Sequence, residues 1–210
     1  MTDSIITVNG DGLTKHLQKI MFDLMQKTVE RLSKNNPREK TNSHQKIRFS
    51  SKWRVEHWRG NKLLAERIED NLVPNECIDH LLDVGFSGGP QTSQWYLALF
   101  TDDHTPAATD TYAVPGFTET IEYDEPTRPA YSDGGVSGQS LSNAAAKATF
   151  TMTGVDPTLF GAAMMSLNTK GDVAGGGVLG PIAQFSQGSI TGISDDDVIK
   201  VYIAISGSDV

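Results

Sequence analysis

Apolar and polar residues alternate along much of the chain after residue 46, and one stretch is apolar on both faces. Residues 94–101 have the sequence QWYLALFT. Three large or apolar side chains alternate on each side of this stretch: Trp95, Leu97 and Leu99 on one, Tyr96, Ala98 and Phe100 on the other. A strand with two apolar faces is typical of the interior of a sandwich or barrel. We therefore predict a central strand here.

Other runs with a period of two predict a mainly β domain. Gly, Pro and Asp turns separate these runs, which cover residues 46–58, 62–68, 117–123, 144–153, 158–168, 178–186 and 198–206. The first two form a predicted hairpin around Arg59, Gly60 and Asn61. A short helix is predicted near residues 75–84, with Asn75 as its N-cap and Gly85 as its C-cap. The expected fold of residues 46–210 is a β-sandwich or jelly-roll-like domain.

The N-terminal part has a different, helical period. Residues 11–34 predict one amphipathic helix, followed by a polar linker to residue 45. Its apolar stripe consists of Leu13, Leu17, Ile20, Met21, Leu24, Thr28 and Leu32, and its outer face carries Lys15, His16, Lys19, Lys27, Arg31 and Lys34. Two interpretations are open. The helix packs on its own β-domain, or its stripe docks on another subunit or protein.

The partner-binding set follows from the second interpretation, in which residues 1–45 form an arm. The set comprises Leu13, Leu17, Ile20, Met21, Leu24, Lys15, Lys19, Lys27 and Arg31.

The distribution of charge supports the division of the chain into an arm and a body. Residues 1–70 hold 14 Lys and Arg against 9 Asp and Glu, whereas residues 71–210 hold 4 against 17. A basic arm on an acidic body is the expected organisation.

Composition narrows the function further. Cys77 is the single cysteine, so no intramolecular disulfide can form, which suits assembly in a reducing cytoplasm. The N-terminus has no pattern of a signal peptide, and no apolar run is long enough to span a membrane. The excess of Lys and Arg over Asp and Glu in the first 70 residues is small for a protein that binds nucleic acid. Trp53 and Trp58 could stack on bases, but Trp53 falls on the apolar face of its strand.

No position carries a strong sequence signature of a catalytic, metal or phosphate-binding site. The run Asp195–Asp197 lacks the spacing of a calcium loop, and Asp102, Asp103, His104 and Asp110 are typical turn residues. Cys77 and His80 share a predicted helix face. A single pair of this kind is typical of a core cysteine beside a surface histidine, not of a catalytic pair. No nucleophile elbow or phosphate loop occurs, and Glu119 and Glu122 are predicted to face opposite ways. We expect no enzyme, no metal and no cofactor.

A carbohydrate-binding module is an alternative of another class. It depends on aromatic side chains being exposed on the β-domain. The candidates are Tyr112, Tyr123 and Tyr131.

The order of several motifs resembles a recurring kind of tailed-phage virion protein. The motifs include WRVEHWRGNKLLAERIEDNLVPNECIDHLLDV (53–84), QWYLALF (94–100), SLSNAAAKATFTMTG (140–154) and GGVLGPIAQFS (176–186). The resemblance covers roughly residues 50–210 and leaves the N-terminal helix outside. The turn Ser194–Asp197 departs from the Gly-Asp turn of that pattern. The resemblance implies a structural protein of the phage particle, with no catalytic residues to carry over.

The leading expectation is a capsid decoration or cement protein. It would bind the major capsid protein on the outside of the head, as a homo-oligomer such as a trimer, after assembly in the host cytoplasm. The alternative within the same class is a neck or tail adaptor, or a fibre-anchoring component. These two differ in copy number, which the sequence leaves open.

Overall fold

The computed structural model describes residues 19–28, 30–31 and 46–209. The chain divides into two units, Met1–Gln45 and Lys46–Val210. Within the first unit, the described residues are helical and form α1. Leu13, Lys15 and Leu17 of the predicted partner-binding set lie outside the described residues, as does the predicted linker.

The second unit is mainly β, and its strands form two antiparallel sheets. The strands are β1 (Ile47–Arg59), β2 (Lys62–Asp70), β3 (Tyr96–Phe100), β4 (Ser140–Ser142), β5 (Ala148–Thr151), β6 (Gly161–Met165), β7 (Leu179–Gln184) and β8 (Val198–Asp209). The first sheet has the order β2-β1-β8-β4, and β5 also pairs with β8. The second has the order β3-β6-β7. A short helix, α2 (Asn75–Leu82), continues into a π-helical turn, Asp83–Ser87.

The longest ladder joins β1 to β8, strands that are far apart in sequence. The register pairs Ile47 with Asp209 at one end and Trp58 with Val198 at the other. On the other side, β1 forms the predicted hairpin with β2. Gly60 has a φ of 54° in the connecting turn, a conformation that glycine adopts without steric cost.

The stretch around residue 97 does form a strand with two buried faces, but the strand is not central. Leu97 to Phe100 are all fully buried in β3. β3 lies at the end of its sheet and pairs with β6. On its free side, isolated bridges join Tyr96 to Ala130 and Phe100 to Glu119. Irregular segments therefore cover the edge that we expected a strand to cover.

Two groups of buried side chains explain the apolar faces. The larger group combines residues of both sheets, including Trp53 and Val55 of β1, Leu97 and Leu99 of β3, and Ile203 of β8. The smaller group lies on the opposite face of the second sheet: Ala98, Phe100, Tyr112, Phe117, Ala163, Met165, Leu179 and Ile182. The second sheet is therefore buried on both faces, which explains why its strands carry apolar residues at both odd and even positions.

Gly161 shows how closely this part of the core is packed. A Cβ atom there would collide with the ring of Phe100 and with the carbonyl oxygen of Ala183. A side chain at this position would thus displace the neighbouring strand β7 or the Phe100 ring.

The prediction of a strand over residues 117–123 is wrong. Its backbone donates and accepts hydrogen bonds with β3 at one end, where Thr120 N bonds Leu99 O at 2.9 Å. At the other end Thr153 N bonds Glu122 O at 3.1 Å, next to β5. The segment crosses from one sheet to the other, so no continuous ladder forms.

Both predicted caps of α2 are also wrong. The helix begins at Asn75 with Pro74 at the N-cap position, and no side chain caps it. At the other end the π-helical turn runs through Gly85 to Ser87, and Gly88, whose φ is 77°, is its C-cap. No helix among the described residues is long and apolar enough to cross a membrane.

Candidate interaction surfaces

The described part of α1 exposes an unusual amount of apolar surface. Five large apolar side chains are 43–64% exposed: Ile20, Met21, Phe22, Leu24 and Met25. Three of them, Ile20, Met21 and Leu24, belong to the predicted partner-binding set. Lys19, Lys27 and Arg31 of that set are exposed as well. These six residues therefore lie at the surface, where a partner could reach them.

The apolar arc of α1 is about twice as wide as a single packing face. At about 100° per residue, Ile20 and Leu24 form one ridge, Met21 and Met25 a second, and Phe22 the far edge. Together they span an arc of roughly 200°, whereas a helix on one flat surface needs about 100°. One flat surface would leave half of this arc in water.

The β unit has a second apolar surface, an open cavity at one end of the larger core group. We call it the end groove. It has a volume of about 310 Å³ and is lined mainly by apolar and aromatic side chains: Phe49, Val73, Cys77, Leu81, Trp95, Tyr131, Val136, Gln139, Leu141, Met164, Pro181, Ile205, Ser206 and Gly207. Trp95, Leu141 and Ile205 also pack against the larger core group. The end groove is thus a part of the core that opens to solvent.

Several of the apolar side chains that line the end groove are themselves exposed. Phe49, Leu81 and Val136 line it and are 37%, 38% and 75% exposed. The lining residues are apolar or uncharged, so the end groove is an apolar surface in contact with solvent.

Cys77 lies in the end groove with only 4% of its surface exposed. Burial, with the nearby carboxylate of Glu76 adding to it, raises the pKa of the Cys77 thiol to about 12. His80, three residues later, interacts with Thr92 instead, at 3.0 Å from Nε2 to Oγ1. A thiol held protonated in this way is a poor nucleophile, as expected for a core cysteine.

A buried arginine ties three irregular segments together. Arg128 Nε and Nη2 donate to the two carboxylate oxygens of Glu119 at 2.9 and 2.6 Å. Its Nη1 donates to the Tyr112 hydroxyl and the Leu167 carbonyl, and Nη2 also donates to the Asp172 carbonyl. Burial alone would lower the pKa of this guanidinium, but Glu119 outweighs burial and raises it. The arrangement satisfies a buried charge and so serves the fold.

The acidic turn before β8 has a structural role that the sequence did not indicate. Asp197 is 1% exposed and accepts hydrogen bonds from Arg59 Nε and Nη2, both at 2.8 Å. His57 Nε2 lies 2.8 Å from Asp197 Oδ2, and Ser194 N donates to the same oxygen. Arg59 holds the pKa of Asp197 well below its usual range, against the opposing effect of burial. This turn is thereby anchored to the end of β1.

Three of the candidate turn residues, Asp102, His104 and Asp110, also have partners within the protein. His104 Nε2 lies 2.8 Å from Asp110 Oδ2, and Asp102 accepts a hydrogen bond from Thr118 N. Among the described residues, no group of three His, Cys, Asp or Glu is arranged to hold a metal ion. Trp53 is buried in the core, and Trp58 packs beneath Lys200, whose Nζ lies 5.1 Å from the ring centroid.

The expectation of exposed tyrosines is wrong. Tyr112, Tyr123 and Tyr131 are 1%, 2% and 4% exposed. Tyr112 is held by Arg128, and Tyr123 packs edge-on against Phe150 with ring centroids 5.0 Å apart. Aromatic rings that stack on sugars have to be accessible, so these three residues lend no support to a carbohydrate-binding module.

No protein-family model matches the chain, and no curated protein gives a significant match to it.

The sequence prediction missed Phe22 and Met25 in α1 and the whole of the end groove. The two helix residues could have been found, because the run Ile20–Met25 places apolar residues at five of six positions. The end groove had no such signal, since its lining comes from segments between Phe49 and Gly207.

Proposed function

We propose that this chain is a structural protein of a tailed-phage particle, and that α1 is its docking arm. The most specific form of the proposal is a capsid decoration or cement protein on the outside of the head, bound to the major capsid protein as a homo-oligomer. The observation that carries it is the exposed apolar arc of α1. Five large apolar side chains in water favour burial in a partner interface, at roughly 25 cal/mol per Å² of apolar surface covered.

The arrangement of the β unit is compatible with such a role. We propose that its two sheets form a β-sandwich, in which the larger core group fills the space between them. The buried ion pair Arg128–Glu119 and the Asp197 anchor fix its loops internally. A rigid acidic body with a basic, apolar arm can add contacts between neighbouring subunits of a shell while remaining soluble. The resemblance of residues 50–210 to phage virion proteins supports the same class.

Co-sedimentation with purified tailed-phage particles tests the proposal. We expect the wild-type chain to sediment with the particles and the Ile20→Gln/Leu24→Gln variant to bind at least tenfold more weakly. Gln retains helix propensity, so the variant removes apolar area while keeping the helix. Gln26→Ala, on the polar side of the same helix, is the matched control and is expected to bind normally. Equal binding by all three chains would contradict docking through the arm.

The position of bound chains distinguishes the two structural roles. A decoration protein occupies many equivalent sites over the shell, whereas a neck or tail adaptor occupies one ring at a single vertex. Counting bound chains per particle by quantitative gel densitometry gives hundreds in the first case and about a dozen in the second, an order-of-magnitude difference that follows from symmetry.

A further inference from the structure

We propose that an open cleft at one end of the second sheet binds a neutral carbohydrate. We call it the polar cleft, and its volume of about 480 Å³ falls within the usual range of small-ligand sites. Its lining includes the loop that precedes β3, the first residue of β3, the segment that follows β6 and residues just before β7. Binding at this place does not use α1, so the proposal goes beyond docking on a particle and does not depend on it.

The first argument is that the lining contains no carboxylate, lysine or arginine. None of the described residues that line the polar cleft is Asp, Glu, Lys or Arg, although these types make up 21% of the chain. A phosphate, a nucleotide or an acidic sugar is normally bound by Arg, Lys or a metal ion. The histidine in this lining, His80, is engaged with Thr92, at 3.0 Å from Nε2 to Oγ1. The lining therefore favours an uncharged ligand.

The second argument is the unused hydrogen-bonding capacity of side chains in the polar cleft. Within the described part of the protein, no side-chain hydrogen bond is made by Gln91, Ser93 or Asn168, or by the hydroxyl of Tyr96. An amide offers an acceptor oxygen and two N–H donors, and a hydroxyl both donates and accepts. Neighbouring hydroxyl groups of a sugar ring also donate and accept, so they match these side chains. A neutral ligand rich in hydroxyl groups is therefore the best chemical fit.

Two further polar side chains of the polar cleft are already fixed in orientation. Gln94 Nε2 donates to the carbonyl oxygens of Trp95 and Tyr131 at 2.8 and 2.7 Å, which leaves Gln94 Oε1 as an acceptor. Ser166 Oγ accepts from Val178 N at 2.6 Å, which leaves its O–H as a donor. Groups that are held in place before a ligand arrives reduce the entropic cost of binding.

The third argument is that an aromatic ring is accessible in the polar cleft. Tyr96 is half-buried, in contrast to the three fully buried tyrosines considered above. The C–H groups on one face of a sugar ring are apolar and pack against such a ring, while the hydroxyl groups bond the polar side chains around it. The ring of His80 adds a second flat surface, held edge-on against Trp95 with ring centroids 5.8 Å apart. The polar cleft thus combines aromatic surface with amide and hydroxyl groups, as recognition of a sugar requires.

A glycan array probed with the labelled full-length chain tests the proposal. The slide carries neutral oligosaccharides of glucose, galactose, mannose and N-acetylglucosamine, together with sialylated and sulfated ones. We expect binding to at least one neutral oligosaccharide and no preference for the acidic ones. Titration of the best neutral oligosaccharide is expected to give a Kd of about 1 mM or lower. No binding to any neutral oligosaccharide, or binding to acidic ones alone, would overturn the proposal.

Substitutions of side chains without protein partners test the position of the site. Gln91→Ala/Asn168→Ala is expected to weaken binding of that oligosaccharide at least about tenfold, because two amides that can bond the sugar are removed. The matched control is Gln187→Ala/Asn61→Ala, which removes the same side-chain types at exposed positions outside the polar cleft and is expected to bind normally. None of the four side chains makes a hydrogen bond within the described part of the chain, so both variants are expected to keep the wild-type Tm. Undiminished binding by Gln91→Ala/Asn168→Ala would contradict the assigned site.

Histidine NMR signals locate the bound sugar without any substitution in the site. We expect the imidazole C–H signals of His80 to shift as the oligosaccharide is added, and those of His57, which is 1% exposed, to stay unchanged. Unchanged His80 signals would place the sugar outside the polar cleft and overturn the proposal. The Ile20→Gln/Leu24→Gln variant is expected to bind the oligosaccharide normally, so loss of particle docking and loss of sugar binding are separate results.

Discussion

The buried pair of Arg128 and Glu119 gives the sharpest prediction about stability. Arg128 makes five hydrogen bonds, two of them to Glu119, and its side chain is fully buried. Arg128→Met would leave the Glu119 carboxylate buried without its cation and deprive the Leu167 and Asp172 carbonyls of their donor. Removing one partner of a buried ion pair costs about 3–5 kcal/mol. We expect a loss of that size in the free energy of unfolding.

Urea unfolding followed by tryptophan fluorescence measures this loss, because Trp53 lies in the core of the same unit. For a unit of this size, 3–5 kcal/mol corresponds to a fall in Tm of roughly 6–20 °C. Arg48→Met, at an exposed position of β1, is the control and is expected to change stability by less than about 0.5 kcal/mol.

A double-mutant cycle separates the ion pair from simple loss of packing. Glu119→Gln alone strands the Arg128 charge, whereas Glu119→Gln combined with Arg128→Met removes both charges together. We expect the double variant to be more stable than the sum of the single losses predicts, by at least about 1 kcal/mol. Arg128→Met within 1 kcal/mol of wild type, or strictly additive losses, would refute the reasoning.

Three further outcomes follow from the structure. Gly161→Ala is expected to destabilise by about 1–3 kcal/mol or more through overpacking, while Gly134→Ala, where a Cβ meets open space, is nearly neutral in the same urea assay. Asp197 has a folded pKa below its unfolded value of about 4, so its contribution to stability is present above that value and is lost as the pH falls through the folded pKa. Asp197→Asn is therefore expected to flatten the loss of stability between about pH 5 and pH 2, and an unchanged slope would count against the Arg59 anchor. Cys77 is expected to react with a maleimide at pH 8 roughly 10³-fold more slowly than a free thiol until urea unfolds the chain, and an ordinary rate in native conditions would contradict its burial.

The strands that the sequence predicted best are those whose alternation matches one continuous ladder. β1 and β8 lie close to their predicted ranges because alternate residues of each strand pack inward. β2 buries only Glu69, and its range follows from the hairpin that it forms with β1. Residues 117–123 alternate as well, with Phe117 and Tyr123 buried, yet their backbone divides its hydrogen bonds between the two sheets. Alternation reports burial, and it does not report whether the strand has a continuous partner.

The interaction surfaces were only partly predictable for a similar reason. The stripe of α1 is local, so Ile20, Met21 and Leu24 could be identified from helical spacing alone. The end groove and the Asp197 anchor depend on distant residues: Arg59 and Asp197 are 138 positions apart. Contacts of that kind arise from tertiary pairing of β1 with β8, which no local pattern in the sequence contains.

Cryo-electron microscopy of tailed-phage particles that carry this chain tests the central claim most directly. The account predicts density for the β unit on the particle surface and density for α1 against an apolar surface of neighbouring subunits, with Ile20, Met21 and Leu24 covered. Particle-bound chains in which the apolar arc of α1 remains in solvent would contradict it.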